Sequence, residues 1–315
     1  MKKDKAIITG GAGFIGSHLA HKLANLGYNV VILDNLVRGR YQYIKDLVDD
    51  EKATFIEGDI KNPLLLRKTF KDAKYVFHEA AVCINCSLEH AEESIETNVN
   101  GSYNVFKAAT EAGAEKLVFA SSASVYGNPA TLPMSEDHPL SPITPYCVSK
   151  IAGEYFLRIF GPKGLKYNTL RNFNVYGPRQ SIDAYYTSVI INFMKNVQQN
   201  KPPVISGDGS QSMDFINVHD VVEANILAAQ SDISGEIFNV GSGTSTSVKQ
   251  LAETTLKLFH KDLEIVYHKE QKIIVRRRQA DISKIKNLVG FKPTIGLEEG
   301  LAEIAKDIQA NPENY

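Results

Sequence analysis

The chain has 315 residues, of which 43% are hydrophobic, and this is enough for one large α/β unit and a smaller lobe. Its formal net charge is -1 and its charges are spread along the sequence, which argues against a nucleic-acid partner or an anionic membrane surface. No apolar run reaches the ~18 residues that span a bilayer, and no signal peptide follows Met1. With only three cysteines, these features predict a cytoplasmic protein without a disulfide framework.

The first half of the chain alternates short apolar runs with helical patterns, such as the one over Ile15–Leu26. Continuous apolar strands separated by helices are typical of a parallel sheet that is buried on both faces. The sequence therefore predicts an α/β fold with a doubly wound, mostly parallel, Rossmann-like sheet. We predict its strands at Ala6–Ile8, Val30–Leu33, Thr54–Ile56, Tyr75–Phe77 and Leu117–Ala120.

The pattern loosens after about Arg171. Two further strand candidates, Asn168–Leu170 and Ile237–Val240, would rejoin the sheet. We predict a nucleotide-binding domain over residues 1–174, with its sheet completed by about 220–240. A smaller, mixed α/β lobe over residues 175–315 would bind the substrate and interleave with the first domain.

A glycine-rich turn follows the first strand and opens the first helix. It reads GGAGFIG over residues 10–16, with glycines at Gly10, Gly13 and Gly16. Glycines at these positions let the backbone approach a pyrophosphate, whose charge lies at the helix N-terminus. A simple strand–helix connection can look the same, so this turn needs a second observation.

Asp34 provides the second observation, because it ends the second strand 21 residues after Gly13. A carboxylate there accepts hydrogen bonds from the adenosine ribose and repels a 2′-phosphate, which favours NAD over NADP. Arg38 leaves the alternative open, since an arginine nearby could accommodate a 2′-phosphate. Asp59 follows the third strand, where it could bind adenine or serve only as a turn or cap residue.

The residues that carry chemistry are Tyr146 and Lys150, at i and i+4 of a helix that Pro145 begins. An ammonium about 5 Å from the phenol, at an effective dielectric of about 20, stabilises the phenolate by roughly 3 kcal/mol. Ser122 ends the Leu117–Ala120 strand, where its hydroxyl could bind a substrate oxygen while Tyr146 moves the proton. A solvated helix pair and a serine-rich loop are the alternatives.

Together these motifs resemble the extended short-chain dehydrogenase/reductase superfamily and, within it, the NAD-dependent epimerase/dehydratase family. The resemblance covers nearly the whole chain and is strongest to UDP-sugar 4-epimerases. It rests on TGGAGFIGSH from Thr9, DNL from Asp34, GDI from Gly58, NVNG from Asn98, SSASVYG from Ser121, YCVSK from Tyr146, RNFNVYGPRQ from Arg171, GDGSQSMDF from Gly207 and ADISK from Ala280.

The resemblance implies NAD as the cofactor, a nucleotide-sugar substrate and a homodimer formed through helices near 95–112 and 146–160. The catalytic residues it implies are Ser122, Tyr146 and Lys150. Those implied for the cofactor are Gly10, Gly13, Phe14, Ile15, Gly16, Asp34, Asn35, Arg38, Asp59, Ile60, Ala80, Ala81, Asn98, Tyr146 and Lys150. Those implied for the substrate are Ser122, Tyr146, Asn174, Val189, Ile205 and Arg276.

The reaction type is indicated by the two residues after Ser122. Similar dehydratases carry Asp-Glu there and sugar decarboxylases carry a Glu, whereas this chain has Ala123 and Ser124. The resemblance therefore implies NAD-dependent epimerisation at C4 of a UDP-hexose or UDP-N-acetylhexosamine, through a transient 4-keto sugar. The alternatives are a net oxidoreductase acting on a nucleotide 4-keto sugar and a non-catalytic nucleotide-sensing protein.

Three segments depart from the family pattern on the presumed substrate side. Met213 stands where the family has an arginine, and Lys272-Ile273-Ile274 stands where it has Pro-Gly-Asp. The loop Cys83–Ser87 lacks the common Val-Pro-Arg-Ser. We expect Met213→Arg to tighten UDP binding, and Arg276 to bear most of the diphosphate contact.

The same cysteine segment raises the alternative of a zinc site, since Cys83 and Cys86 are flanked by His78 and His90. A second CxxC or a close histidine pair is missing from the sequence. We therefore predict no metal, and small packing residues beside the cofactor instead.

Overall fold

A seven-stranded parallel sheet forms the centre of the computed structural model, which describes residues 3–180, 188–269 and 275–312. Its strands are β1 (Lys5–Thr9), β2 (Asn29–Asp34), β3 (Ala53–Glu57), β4 (Tyr75–His78), β5 (Lys116–Ser122), β6 (Tyr167–Asn172) and β11 (Glu236–Val240). Their spatial order is β11-β6-β5-β4-β1-β2-β3, and every neighbouring pair is parallel. All seven strands coincide with predicted runs, which confirms the Rossmann-like fold.

Helices cover both faces of this sheet because its strands are apolar on both sides. One apolar layer includes residues of α1 (Phe14–Asn25), α9 (Val218–Gln230) and α11 (Ser283–Val289). The other includes residues of α3 (Pro63–Phe70), α6 (Ser102–Glu111) and α7 (Pro145–Phe160). The short helices are α2 (Lys45–Asp49), α4 (Ile84–Glu89) and α5 (Ala91–Ser94), and a π-helical segment, Ile95–Gly101, leads into α6.

A third apolar cluster forms what we call the second lobe. Its helices are α8 (Ser188–Gln198), α10 (Val248–Leu258) and α12 (Leu297–Ala310). Three two-stranded sheets accompany them, and each pairs segments that are distant in sequence. These sheets are β7 (Asn174–Tyr176) with β10 (Phe215–Asn217), β9 (Ser212–Met213) with β12 (Thr246–Ser247), and β8 (Val204–Ser206) with β13 (Val266–His268).

Within the described ranges, none of the helices combines the length and the apolar character needed to cross a membrane.

Candidate functional site

The glycine-rich turn lies between β1 and α1 and presents the start of α1 to the carboxyl edge of the sheet. Gly10 has φ +71°, and a Cβ there would lie 2.7 Å from Ala80 Cα, so only glycine fits. Gly13 is the extended residue that precedes α1, and no side chain caps this helix. The free N–H groups of the first helical turn are therefore available to an anion such as a pyrophosphate.

Asp34 is held beside this turn by the backbone. One carboxylate oxygen accepts from Ala12 N and the other from Leu36 N, each at 2.9 Å. Burial raises the pKa of Asp34, and these two N–H groups oppose that rise. Each oxygen keeps a lone pair for a ribose hydroxyl. Sequence analysis did not identify Gly39, where a Cβ would lie 2.5 Å from the Asp34 carboxylate.

The other predicted adenosine residues mainly contact one another. Asn35 Nδ2 donates to one oxygen of Asp59 at 3.0 Å, and Lys61 N donates to the other at 2.8 Å. Asp59 is thus a turn residue in this structure, and a contact with adenine stays a prediction. Ile60 is buried, and Gly101 packs directly against its side chain.

Asn98 fixes the loop that contains Ala80 and Ala81. Its Oδ1 accepts from Val82 N at 2.7 Å, while its Nδ2 donates to Val82 O at 3.0 Å and to Ser149 Oγ at 3.1 Å. The side chain therefore joins the loop after β4 to the helix that carries Tyr146. We interpret Asn98 as a residue that positions this loop, and a direct contact with the cofactor stays a prediction.

The predicted catalytic residues converge at the carboxyl end of β5. Thr144 caps α7 by accepting from Cys147 N, so the helix begins at Pro145 as expected. Lys150 Nζ lies 5.5 Å from the centroid of the Tyr146 ring and donates to Ala120 O at 2.7 Å. The Ser122 side chain interacts with the Tyr146 phenol and lowers its pKa. A hydroxyl, a phenol and an ammonium therefore meet at one sheet edge.

The pKa values in this cluster differ from the expectation that Lys150 lowers the pKa of Tyr146. Burial raises the pKa of Tyr146 well above its ordinary value, opposed by the interaction with Ser122. Burial also lowers the pKa of Lys150 to about 8, opposed by the charges of Glu79 and Glu154. The expected depression of the tyrosine pKa by Lys150 is wrong for the protein chain alone, because desolvation outweighs the charge interaction. Both shifts keep the proton on the phenol until further positive charge is present.

Sequence analysis did not identify two acidic residues that lie near Lys150. Glu154 lies one helical turn beyond Lys150 and is almost fully buried, where Arg171 binds both its oxygens at 3.0 and 2.7 Å. Ser121 Oγ donates to the same carboxylate at 2.5 Å. The equal spacing of four residues between Tyr146, Lys150 and Glu154 is the sequence pattern that could have identified Glu154. Glu79 follows β4, and burial raises its pKa to about 7.

The predicted substrate residues lie on separate elements of the chain. Asn174 on β7 donates from Nδ2 to Asp214 O at 2.9 Å. Val189 on α8 is half-buried, and Ile205 on β8 is buried in the second lobe, so only the backbone of Ile205 is available to a ligand. Arg276 is exposed, and its carbonyl accepts from Ser212 N at 2.9 Å.

Met213 is buried, whereas its family position suggested a residue on the substrate side of the site. Its side chain is 5% exposed and belongs to the apolar cluster of the second lobe. The expectation that Met213→Arg tightens UDP binding stays a prediction, and it requires an arginine at this position to leave the apolar core. The replaced Pro-Gly-Asp segment at Lys272-Ile273-Ile274 lies outside the described residues.

The histidines beside the cysteines contact other side chains. His78 is fully buried, and its ring nitrogens hydrogen-bond to Thr9 Oγ1 at 2.7 Å and Ser102 Oγ at 2.8 Å. Exposed His90 lies 3.8 Å from Glu92. Among the residues that the structure describes, no three or more metal-binding side chains form a group. His78 is thus a structural residue of the core.

The fold and the Ser-Tyr-Lys arrangement define an enzyme of the nucleotide-dependent short-chain dehydrogenase type. The model of the NAD dependent epimerase/dehydratase family matches residues 6–241, and the chain belongs to this family. NAD is accordingly its cofactor. The uncapped start of α1 and the Asp34 carboxylate, both described above, fit the pyrophosphate and the ribose of this dinucleotide.

Relatives within the family differ in the reaction for which they are named. A putative UDP-glucose 4-epimerase of Methanocaldococcus jannaschii is 38% identical, covering 97% of this chain and 98% of the relative. A UDP-N-acetyl-alpha-D-glucosaminuronate decarboxylase of Bacillus cytotoxicus is 34% identical, with 96% of each chain covered. The UDP-N-acetylglucosamine 4-epimerase of Methanobrevibacter ruminantium M1, solved with UDP-N-acetylmuramic acid, is 35% identical with a TM-score of 0.92, covering 98% of this chain and 99% of that one. The family is therefore clear, while the reaction needs a further argument.

Proposed function

We propose that the protein epimerises C4 of a UDP-hexose or UDP-N-acetylhexosamine. The observation that carries this proposal is the convergence of Ser122, Tyr146 and Lys150 in a chain where no acid follows Ser122. Ala123 and Ser124 follow Ser122 and are 1% and 2% exposed. They bring no carboxylate to the place where dehydratases and decarboxylases carry one, so the chain has the groups for proton and hydride transfer at C4 but lacks that acid.

Proton transfer is the part of the reaction that the chain itself performs. Tyr146 accepts the proton of the C4 hydroxyl, while the Ser122 hydroxyl binds the same oxygen. Lys150, fixed by the carbonyl of Ala120, stabilises the phenolate that forms. When bound, NAD supplies a reversible hydride acceptor and a positive ring. After the 4-keto sugar has turned its other face, Tyr146 returns its proton to the oxygen.

The nucleotide would bind between the catalytic edge of the sheet and the second lobe. In this proposal Asn174, Val189, Ile205 and Arg276 contact the UDP portion, and residues 175–315 act as the substrate domain beside a cofactor domain over 1–174. The relatives named as UDP-sugar epimerases support this arrangement.

A homodimer in the cytoplasm belongs to the same proposal. Helix α7 carries large apolar side chains that are more than half exposed, namely Val148, Tyr155 and Ile159. Tyr103 on α6 is 40% exposed and packs against Phe156 and Phe160 of α7. Such an exposed apolar face supports association of two copies through these helices.

The test uses UDP-glucose and UDP-N-acetylglucosamine carrying deuterium at C4, with UDP-glucuronic acid as a third substrate. An epimerase gives a product of unchanged mass that keeps the deuterium, because the hydride returns to the same carbon. Tyr146→Phe is the matched control and should give no product. A product lighter by water or carbon dioxide would contradict the proposal, and NADH accumulating in proportion to product would indicate a net oxidoreductase.

A further inference from the structure

Cys83 and Cys86 form a close dithiol that the proposed chemistry does not use. They lie at the start of α4, with their sulfur atoms 3.1 Å apart, and both are partly exposed. Arg38 Nη1 donates to Cys83 Sγ at 2.9 Å and to Cys86 Sγ at 3.2 Å. Two thiols in contact, bridged by one guanidinium, are arranged for chemistry between the sulfur atoms.

This dithiol connects the cofactor loop with the catalytic helix. Arg38 belongs to the loop that follows Asp34, and its bonds to sulfur attach that loop to α4. On the other side of α4, Ser87 Oγ accepts from Tyr146 N at 3.3 Å and donates to Ile84 O at 2.7 Å. A change at the two sulfur atoms therefore reaches both the cofactor loop and the start of α7.

We propose that Cys83 and Cys86 are a reversible modification site, at which a low-molecular-weight disulfide forms an intramolecular disulfide that loosens the cofactor loop. Closing the bond shortens the sulfur–sulfur distance from 3.1 Å to about 2.05 Å, which side-chain rotation can supply. The sulfur atoms of the oxidised pair carry no negative charge and accept hydrogen bonds only weakly, so Arg38 loses its two charge-assisted bonds.

The reaction balances as two thiol–disulfide exchanges. Cys86 accepts hydrogen bonds from both Arg38 and the Cys83 thiol, and its sulfur attacks first in this scheme. It breaks the S–S bond of the reagent and releases one thiolate. Burial raises the pKa of Cys83, and the N–H of Cys86 and the charge of Arg38 oppose the rise; Cys83 then loses its proton and displaces the second thiolate from Cys86. The two protein thiols lose two electrons, the reagent gains them, and both protons end on the released thiols.

The first measurement counts thiols in the NAD-loaded enzyme after treatment with oxidised glutathione. When the treated protein is denatured before alkylation, so that buried Cys147 also reacts, only one of the three cysteines of wild type should be alkylated, with the protein mass lower by two hydrogen atoms and no glutathione attached. Dithiothreitol should restore all three. The Cys147→Ser variant is the matched control, because it keeps both dithiol cysteines and should still form the disulfide, whereas Cys86→Ser should not.

The second measurement follows release of NAD from the same samples, since the cofactor of the family does not depend on which sugar is the substrate. Oxidation should speed NAD release from wild type and Cys147→Ser by about ten-fold, reversibly, as expected for the loss of two hydrogen bonds. Each protein is compared with its own reduced form, so differences between the variants before oxidation cancel. Arg38→Met should release NAD at the same rate in both states.

Three outcomes would overturn the proposal. In the first, the wild-type enzyme still has three alkylatable thiols after treatment with oxidised glutathione. Another is wild type that forms the disulfide and releases NAD at an unchanged rate. In the last, the Cys86→Ser variant shows the same oxidation-dependent release of NAD as wild type.

Discussion

The cofactor side and the substrate side of the site are built in different ways. On the cofactor side, the backbone of the chain already holds the polar groups, as Ala12 and Leu36 hold Asp34 and as Ala120 holds Lys150. On the substrate side, the predicted residues come from separate elements, with Ile205 in the apolar core and Arg276 exposed. The difference teaches that the groups on the cofactor side are preorganised by the large sheet, and we expect the choice of sugar to depend on how the second lobe meets it.

The largest expected effect comes from removing the phenol on the preorganised side. Tyr146→Phe should lower kcat by at least ~100-fold, because general acid–base transfer at C4 is lost. Bound NAD and the melting temperature should stay at wild-type values, and Tyr155→Phe, on an exposed part of the same helix, is the control. Steady-state kinetics with UDP-sugars measures kcat, and near-normal turnover would contradict the assignment of Tyr146 as the acid–base residue.

On the substrate side, Met213→Arg should destabilise the fold by about 3 kcal/mol, because it buries a charge in an apolar cluster. Met213→Leu conserves the volume and should cost less than about 1.5 kcal/mol. Urea unfolding followed by circular dichroism gives both values. If the arginine variant is as stable as wild type, Met213 faces a polar cleft and the difference between the two sides weakens.

Arg276→Ala should weaken UDP binding by about ten- to a hundred-fold, the usual range for loss of one charge-assisted hydrogen bond. The neighbouring exposed residue provides the control, since Arg277→Ala should change the affinity much less. Calorimetric titration of UDP into the three proteins compares them directly. Equal affinity in wild type and Arg276→Ala would place the diphosphate elsewhere.

The smallest effect concerns pH. Burial lowers the pKa of Lys150 to about 8, so the ammonium predominates below pH 8 and is lost as the pH rises. We expect kcat/KM to fall about ten-fold from its plateau by pH 9, since that quantity reports ionisations of the enzyme before it binds substrate. The charge of Glu79 raises the lysine pKa, so Glu79→Gln should move the inflection to lower pH. A profile that stays level to pH 9 would contradict this assignment.

Sequence reasoning succeeded where the information is local. Apolar runs predicted the seven strands, and the spacing of Tyr146 and Lys150 predicted their common helix face, because both follow from backbone periodicity. It failed where partners are distant in the chain. The pair of Arg171 with Glu154, the bonds from Arg38 to the cysteines and the burial of Met213 all depend on packing between elements, which no local spacing records.

Because β11 lies at the edge of the sheet, the sheet can be completed only after this strand has been synthesised. This strand pairs with β6, although residues 173–235 separate the two. Until the ribosome has delivered Val240, β6 remains an open edge whose backbone N–H and C=O groups have no neighbour on one side. A nascent chain stalled within that interval exposes a ready template for pairing with another chain, so slow translation there favours aggregation.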